Sequence, residues 1–152
     1  NQLNISTKEA SELISQFKET FQGIDEFQKS AIEHARENGY ITTILNRRRY
    51  LKDINSSNRA LRQFSERAAV NAIIQGSAAD LIKVAMIRCE EALENYQSKL
   101  ILQIHDELLF KVPVSELEEV RAVLIDCMDN ALKLKVPLKV DGSAKKTWYE
   151  AH

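Results

Sequence analysis

The chain has 152 residues, 44% of them hydrophobic, and a net charge of -1, which is apolar material for one globular domain with a moderate core and excludes a disordered polyelectrolyte. No apolar run approaches the roughly twenty residues that cross a bilayer and no basic-then-apolar leader opens the chain, so it reads as a soluble, cytoplasmic protein with no membrane partner. The near-zero charge excludes a uniformly basic nucleic-acid binder but not a local basic patch.

Ser6 with Glu9 forms a capping-box pattern, and Ala10, Leu13, Ile14, Phe17 and Phe21 follow at helical spacing, predicting a helix over 7–22 that Gly23 breaks. Ile24, Phe27, Ala31, Ile32 and Ala35 predict a second helix, closed by Asn38 and a left-handed cap at Gly39. Residues 40–44 and 49–51 read as two strands around the turn LNRR, a small hairpin. INSSN (54–58) is a loop with N-cap residues, opening a helix over 58–96 that is alanine- and aliphatic-rich almost all round between 68 and 87. Strands follow at 100–104 and 108–112, the second stopped by Pro113. Ser115 with Glu118 suggests another capping box, for a helix ending near Leu134, and a strand over 137–140 and a polar tail with Trp148 complete the chain. The fold class expected is α+β.

Charge is distributed unevenly. Arg47, Arg48, Arg49, Lys52, Arg59, Arg62 and Arg67 face only Asp53 and Glu66 over the same stretch, whereas acids collect in SELEE at 115–119. Cys89 and Cys127 lie among helix-spaced apolar residues with no second Cys or Cys/His cluster nearby, and read as buried free thiols. The chain opens on Asn1 in an ordinary polar stretch rather than on Met, so it is expected to be a piece of something longer.

Two groups of residues carry possible chemistry. In LILQIHDELLFKVP (100–113), alternation puts Leu100, Leu102 and Ile104 on one face and Ile101, Gln103 and His105 on the other, and the continuous apolar pattern predicts that both faces are covered. His105, Asp106 and Glu107 would then form a tight turn between antiparallel strands. Such a turn is either a solvated tip or a rigid mount for a carboxylate that holds a hard divalent cation, since Mg²⁺ is held by one or two carboxylates plus substrate phosphates. Arg67, Asn71 and Gln75, spaced by four, make a donor-rich stripe on an otherwise apolar helix, next to Gly76 and the small residues Ser77 to Ala79. These side chains either satisfy buried backbone or meet minor-groove acceptors that are largely degenerate with sequence.

ERAAVNAIIQGSAADLIKVAMI (66–87) followed by LILQIHDELLF (100–110), with RRRYLKDINSSN (47–58), VPLKV and Trp148 in the same order, closely resembles the family A DNA polymerases, the bacterial DNA polymerase I group. The likeness covers essentially the whole chain. It implies that Asp106 is the metal-binding aspartate of the family's motif C and Glu107 an auxiliary acid. It also implies that Gln103 and His105 lie near the primer terminus, that Arg67, Asn71 and Gln75 contact template and minor groove, and that Arg47, Arg48 and Arg49 lie along the duplex backbone. The implied chemistry is template-directed, two-metal nucleotidyl transfer with primer-template DNA and deoxynucleoside triphosphates as partners.

Four departures bear on this. The family's second metal-binding aspartate, in an Asp-Tyr-Ser segment, does not occur here, nor does its fingers helix with Lys and Tyr near Asn-Phe-Gly. Asn46 stands where glycine is usual, and Ser143 and Lys145 replace paired glycines. The expectation is therefore a C-terminal fragment of the polymerase domain, with residues 1–64 from the fingers side and 65–152 from the palm. Alone it should be inactive: the parent would use two Mg²⁺ ions, and the fragment would bind Mg²⁺ weakly or not at all and self-associate through exposed palm surface. The competing readings are a noncatalytic duplex-binding module and a metal phosphohydrolase, the latter needing a ligand cluster that His34 and His152 do not supply.

Overall fold

A computed structural model describes residues 5–151 of the chain; His152 lies outside them. The elements run α1 (Thr7–Thr20), α2 (Gln22–Asn38), β1 (Tyr40–Thr42), β2 (Arg48–Tyr50), α3 (Arg59–Ala92), β3 (Lys99–Ile104), β4 (Glu107–Lys111), a 3-10 turn (Val114–Glu116), α4 (Leu117–Asp129) and α5 (Trp148–Ala151). Long helices with two separate two-stranded antiparallel sheets make the α+β class observed. Contacts divide the chain into two compact units, one up to Gln75 and one from Gly76, so the division falls inside α3.

In the first unit, the predicted capping box forms, with Glu9 N–H donating to Ser6 Oγ and Ser6 N–H to Glu9 Oε2. The break between α1 and α2 falls at Phe21 (φ -116°, ψ 61°) and not at Gly23, which lies within α2. Phe21 packs its ring against Phe17, 5.0 Å between centroids, and its carbonyl accepts from Ile24 N–H, so the corner is built by an aromatic pair. Gly39 ends α2 as expected, at φ 75°, donating to the Ala35 carbonyl. The hairpin also forms, with shorter strands than expected: Tyr40 opposes Tyr50, Ile41 opposes Arg49 and Thr42 opposes Arg48. Thr43 and Ile44 belong to its loop, where Asn46 takes φ 61°, a conformation asparagine tolerates better than most residues. Ala35, Ile41, Leu51, Ile54, Ala69 and Ala72 form the core of this unit. Asn58 Oδ1 caps the start of α3 by accepting from Ala60 and Leu61 N–H.

The second unit is organised around Cys89, Leu93, Val120 and Leu124, against which Leu108, Phe110 and Val112 pack. Burying a leucine or valine of this kind contributes about 1.5–3 kcal/mol. Three expectations fail here. The Ser115/Glu118 capping box is absent: Ser115 sits in the 3-10 turn and Glu116 takes the N-cap position without a side-chain cap, because its carboxylate is engaged elsewhere. The helix ends at Asp129, not near Leu134, where Asn130 turns its amide back onto the Asp126 carbonyl and carboxylate. Residues 137–140 form no strand; Val140 N–H donates to the Asp129 carboxylate at 2.8 Å, so a side chain takes the place of a ladder.

Although no single apolar run is long, α3 as a whole is long and apolar enough to cross a membrane by length and composition, contrary to the expectation from the runs alone. Its alanines and aliphatics are interrupted by isolated polar residues too few to lower the average. Part of that apolar surface is used in the cores, through Ala69 and Ala72 in one unit and Cys89 in the other.

Candidate functional site

The β3–β4 ribbon brings Gln103, His105, Asp106 and Glu107 together at its tip. Gln103 opposes Leu108 and Ile104 opposes Glu107, so the loop holds two residues, His105 and Asp106, rather than the expected three. Glu107 is the first residue of the returning strand. A two-residue hairpin loop demands positive φ, and His105 supplies it at 52°. Gln103 Nε2 donates to the His105 carbonyl at 2.5 Å, tying the loop to its own strand. His105, Asp106 and Glu107 are all exposed. The result is a carboxylate whose backbone is fixed on both sides and whose oxygens face water.

The expected alternation along β3 is broken by a bulge between Leu100 and Leu102. Directly opposed residues share a face, so Leu100 and the exposed Gln103 go with Phe110 and Leu108, which pack on the core, whereas Leu102 and Ile104 go with Leu109 and Glu107. Leu100, Leu102 and Ile104 therefore do not share a face. Nor are both faces covered: Ile101 and Leu102 are 57% and 43% exposed. A bulge adds one residue and reverses the side-chain phase beyond it.

The base of the ribbon is anchored by a residue that no motif singles out. Glu116 accepts from Gln97 N–H (2.9 Å), Ser98 N–H (3.1 Å) and Ser98 Oγ (2.6 Å), clamping the residues just before β3 to the turn before α4. The Ser98 hydroxyl first, then the Gln97 amide, hold its carboxyl below the usual range. Beside it, Tyr96 Oη donates to Glu119 at 2.7 Å, and that bond, with burial, pushes the phenol up. A polar Ser98 next to an acid-rich segment eighteen residues on was the only available hint.

A donor set of Asp106 and Glu107 fits a hard divalent cation in part. Mg²⁺ accepts one or two carboxylates when substrate phosphates and water complete its shell, and among the described residues no group of three or more His, Cys, Asp or Glu is placed to hold a metal ion.

In the first unit, Arg67, Asn71 and Gln75 are exposed along α3, and Ala69 and Ala72 between them are buried, so the predicted stripe forms. Arg67 and Asn71 border a 420 Å³ depression that Gln28, Ile32 and Gln63 also line. The neighbouring Glu66 is already engaged by Arg36 Nη2 at 2.7 Å and by Arg62 Nε at 3.9 Å, leaving the Arg67 side to act as a donor. Arg47, Arg48 and Arg49 are exposed on the hairpin but do not act as one patch: Arg48 shares the face of Thr42, whereas Arg49 shares that of Ile41. The Arg48 guanidinium lies over the Tyr40 ring, 4.7 Å from its centroid.

Comparison with known proteins agrees with this geometry. The chain is 47% identical over 151 residues to DNA polymerase I of Bacillus caldotenax and 48% identical over 149 residues to that of Mycobacterium bovis, alignments that cover 98% and 97% of this chain but 17% and 16% of those proteins. It therefore spans about a sixth of the length of these relatives. Among solved structures, the polymerase domain of Pol1 from M. smegmatis, in complex with DNA primer-template and dNTP, superposes with a TM-score of 0.87 at 46% identity, over 91% of this chain and 25% of that one. A profile of DNA polymerase family A matches residues 1–150, and the chain belongs to that family.

Proposed function

We propose that this chain is the C-terminal part of the polymerase domain of a DNA-directed DNA polymerase, with residues 1–64 from the fingers side and 65–152 from the palm. The observation that carries the reading is the exposed Asp106 on a two-residue ribbon loop pinned by Gln103, in a chain whose relatives are named DNA polymerase I. Asp106 would hold Mg²⁺, with Glu107 as an auxiliary acid. When bound, the metal ions supply charge neutralisation at the phosphates and acidify the primer hydroxyl. The chain's own residues position the DNA. Gln103 and His105 stand by the primer terminus, Arg67, Asn71 and Gln75 read duplex shape from the minor groove, and Arg47, Arg48 and Arg49 lie along the duplex backbone. Such a role belongs with DNA and triphosphates in the cytoplasm.

With one strand-tip carboxylate and its neighbour as the donor set, the 152-residue chain alone should incorporate no nucleotide; measurable primer extension by it would overturn that point. Its self-association through palm surface is proposed on the exposed Ile101, Leu102, Val114 and Val136, and a monomer at all concentrations in sedimentation equilibrium would contradict it.

The DNA contact is tested by titrating labelled primer-template with the chain and its Arg67→Ala variant over a range of salt. Affinity should fall similarly for all sequences. A phosphate contact would lower the salt slope by about one, and a base-edge contact would leave it intact. Unchanged affinity and slope would remove Arg67 from the interface. If Asp106→Ala leaves nucleotide incorporation by the full-length polymerase unchanged, the chain is a noncatalytic duplex-binding module instead.

A further inference from the structure

We propose that the outward face of the β1–β2 ribbon is a stacking platform for unpaired bases of single-stranded DNA; this rests on the reading of the chain as a DNA-binding protein. Register divides the ribbon into two faces. Ile41 points into the core and is fully buried, and Tyr40, Thr42, Arg48 and Tyr50 share the opposite side. The ribbon is thus fastened by Ile41, and its aromatic residues are not needed for the core. Tyr40 is held by three neighbours: Arg48 over its face, the edge of His34 at 5.9 Å and 87°, and Tyr50 at 5.8 Å and 62°. Internal stabilisation of the hairpin accounts for Tyr40. It does not account for Tyr50, whose one aromatic contact among the described residues is Tyr40 and which leaves 67% of its surface in water.

The charge around this ring selects the occupant. Arg48 shares the face of Tyr50, Arg47, Arg49 and Lys52 are close to it in the chain with Asp53 as the nearby acid, and no ion pair among the described residues neutralises Arg48. An exposed aromatic ring among cations fits a polyanion that offers π-faces. In a duplex those faces are already stacked on neighbouring base pairs; in a single strand they are open, and stacking on tyrosine is tolerant of sequence. Arg48, over the Tyr40 ring at 4.7 Å from its centroid, adds a cation to the same face.

The test uses the 152-residue chain with two fluorescein-labelled probes, an oligothymidylate of about a dozen nucleotides, within the range of sites that such surfaces cover, and a blunt duplex. Tyr50→Ala should weaken the single strand about tenfold and leave the duplex unchanged, whereas Tyr50→Phe should bind both as the parent does. A 2-aminopurine base in the single strand should be quenched by the parent and by Tyr50→Phe but not by Tyr50→Ala. Equal melting temperatures of the three proteins establish that the ribbon is intact. Duplex bound without the single strand, or a single strand indifferent to Tyr50→Ala, overturns the platform and leaves the proposed function standing. A single strand bound through Tyr50 with no duplex binding does the reverse, and binding of neither overturns both.

Discussion

At the scale of single residues, Asp106 and Glu116 are both exposed or half-exposed acids in one unit, and their surroundings separate them. Asp106 sits on a loop with its oxygens in water, whereas Glu116 is committed to three donors at the root of the same ribbon. That commitment has a pH signature. The Ser98 hydroxyl and Gln97 amide favour the charged form, so folded Glu116 titrates below its ordinary 4.5. A group whose folded pKa is depressed contributes stability that is complete above the unfolded value and is lost as pH falls through the folded one. Glu116→Gln should therefore lower stability at neutral pH and flatten the acid limb below about pH 4.5; urea melts whose pH dependence matches the parent's would contradict the clamp. The His-Asp-Glu triplet was legible as a turn, because three polar residues interrupt two apolar runs. Glu116 was not, since nothing local links an acid to a serine eighteen positions earlier.

At the scale of elements, periodicity located α1 to α4 and both hairpins but not α5, where four residues in an expected polar tail are too few to carry a period, and the other differences lie where side chains override it. Gly23 looked like a breaker, yet the corner belongs to the Phe17–Phe21 pair one turn earlier. The bulge in β3 is invisible to an alternation rule, because one extra residue among apolar neighbours leaves the pattern continuous. The missing strand at 137–140 carries strand-like residues, but Asp129 satisfies Val140 N–H without a partner strand. Gly39, by contrast, was readable because Asn-Gly at the end of an apolar period predicts a left-handed cap. Its φ is 75° and an added Cβ would meet nothing within 4 Å, so substitution costs backbone strain alone. Gly39→Ala should lose about 1 kcal/mol by chemical denaturation, and Gly39→Asn less; a stabilised Gly39→Ala would mean that helix propensity outweighs the cap.

At the scale of the whole molecule, the sequence strings alone resemble one family, since long ordered matches carry more than any one motif. The roles of individual residues follow less directly. Cys89 and Cys127 behave as structural thiols: burial pushes Cys89 up to about 12, with Cys127 adding to the shift, so neither is activated as a nucleophile. The proposed function therefore rests on the ribbon tip and the exposed donors of α3. Its most direct test is a chimera in which this chain replaces the matching segment of Mycobacterium bovis DNA polymerase I, to which it is 48% identical. The chimera should extend a primer with Mg²⁺, and Asp106→Ala within it should cut incorporation by about a thousandfold, the worth of several kcal/mol of metal-borne charge stabilisation, while primer-template affinity is retained. Incorporation at the unsubstituted rate, or a loss explained by failure to bind DNA, would contradict Asp106 as the metal-holding carboxylate.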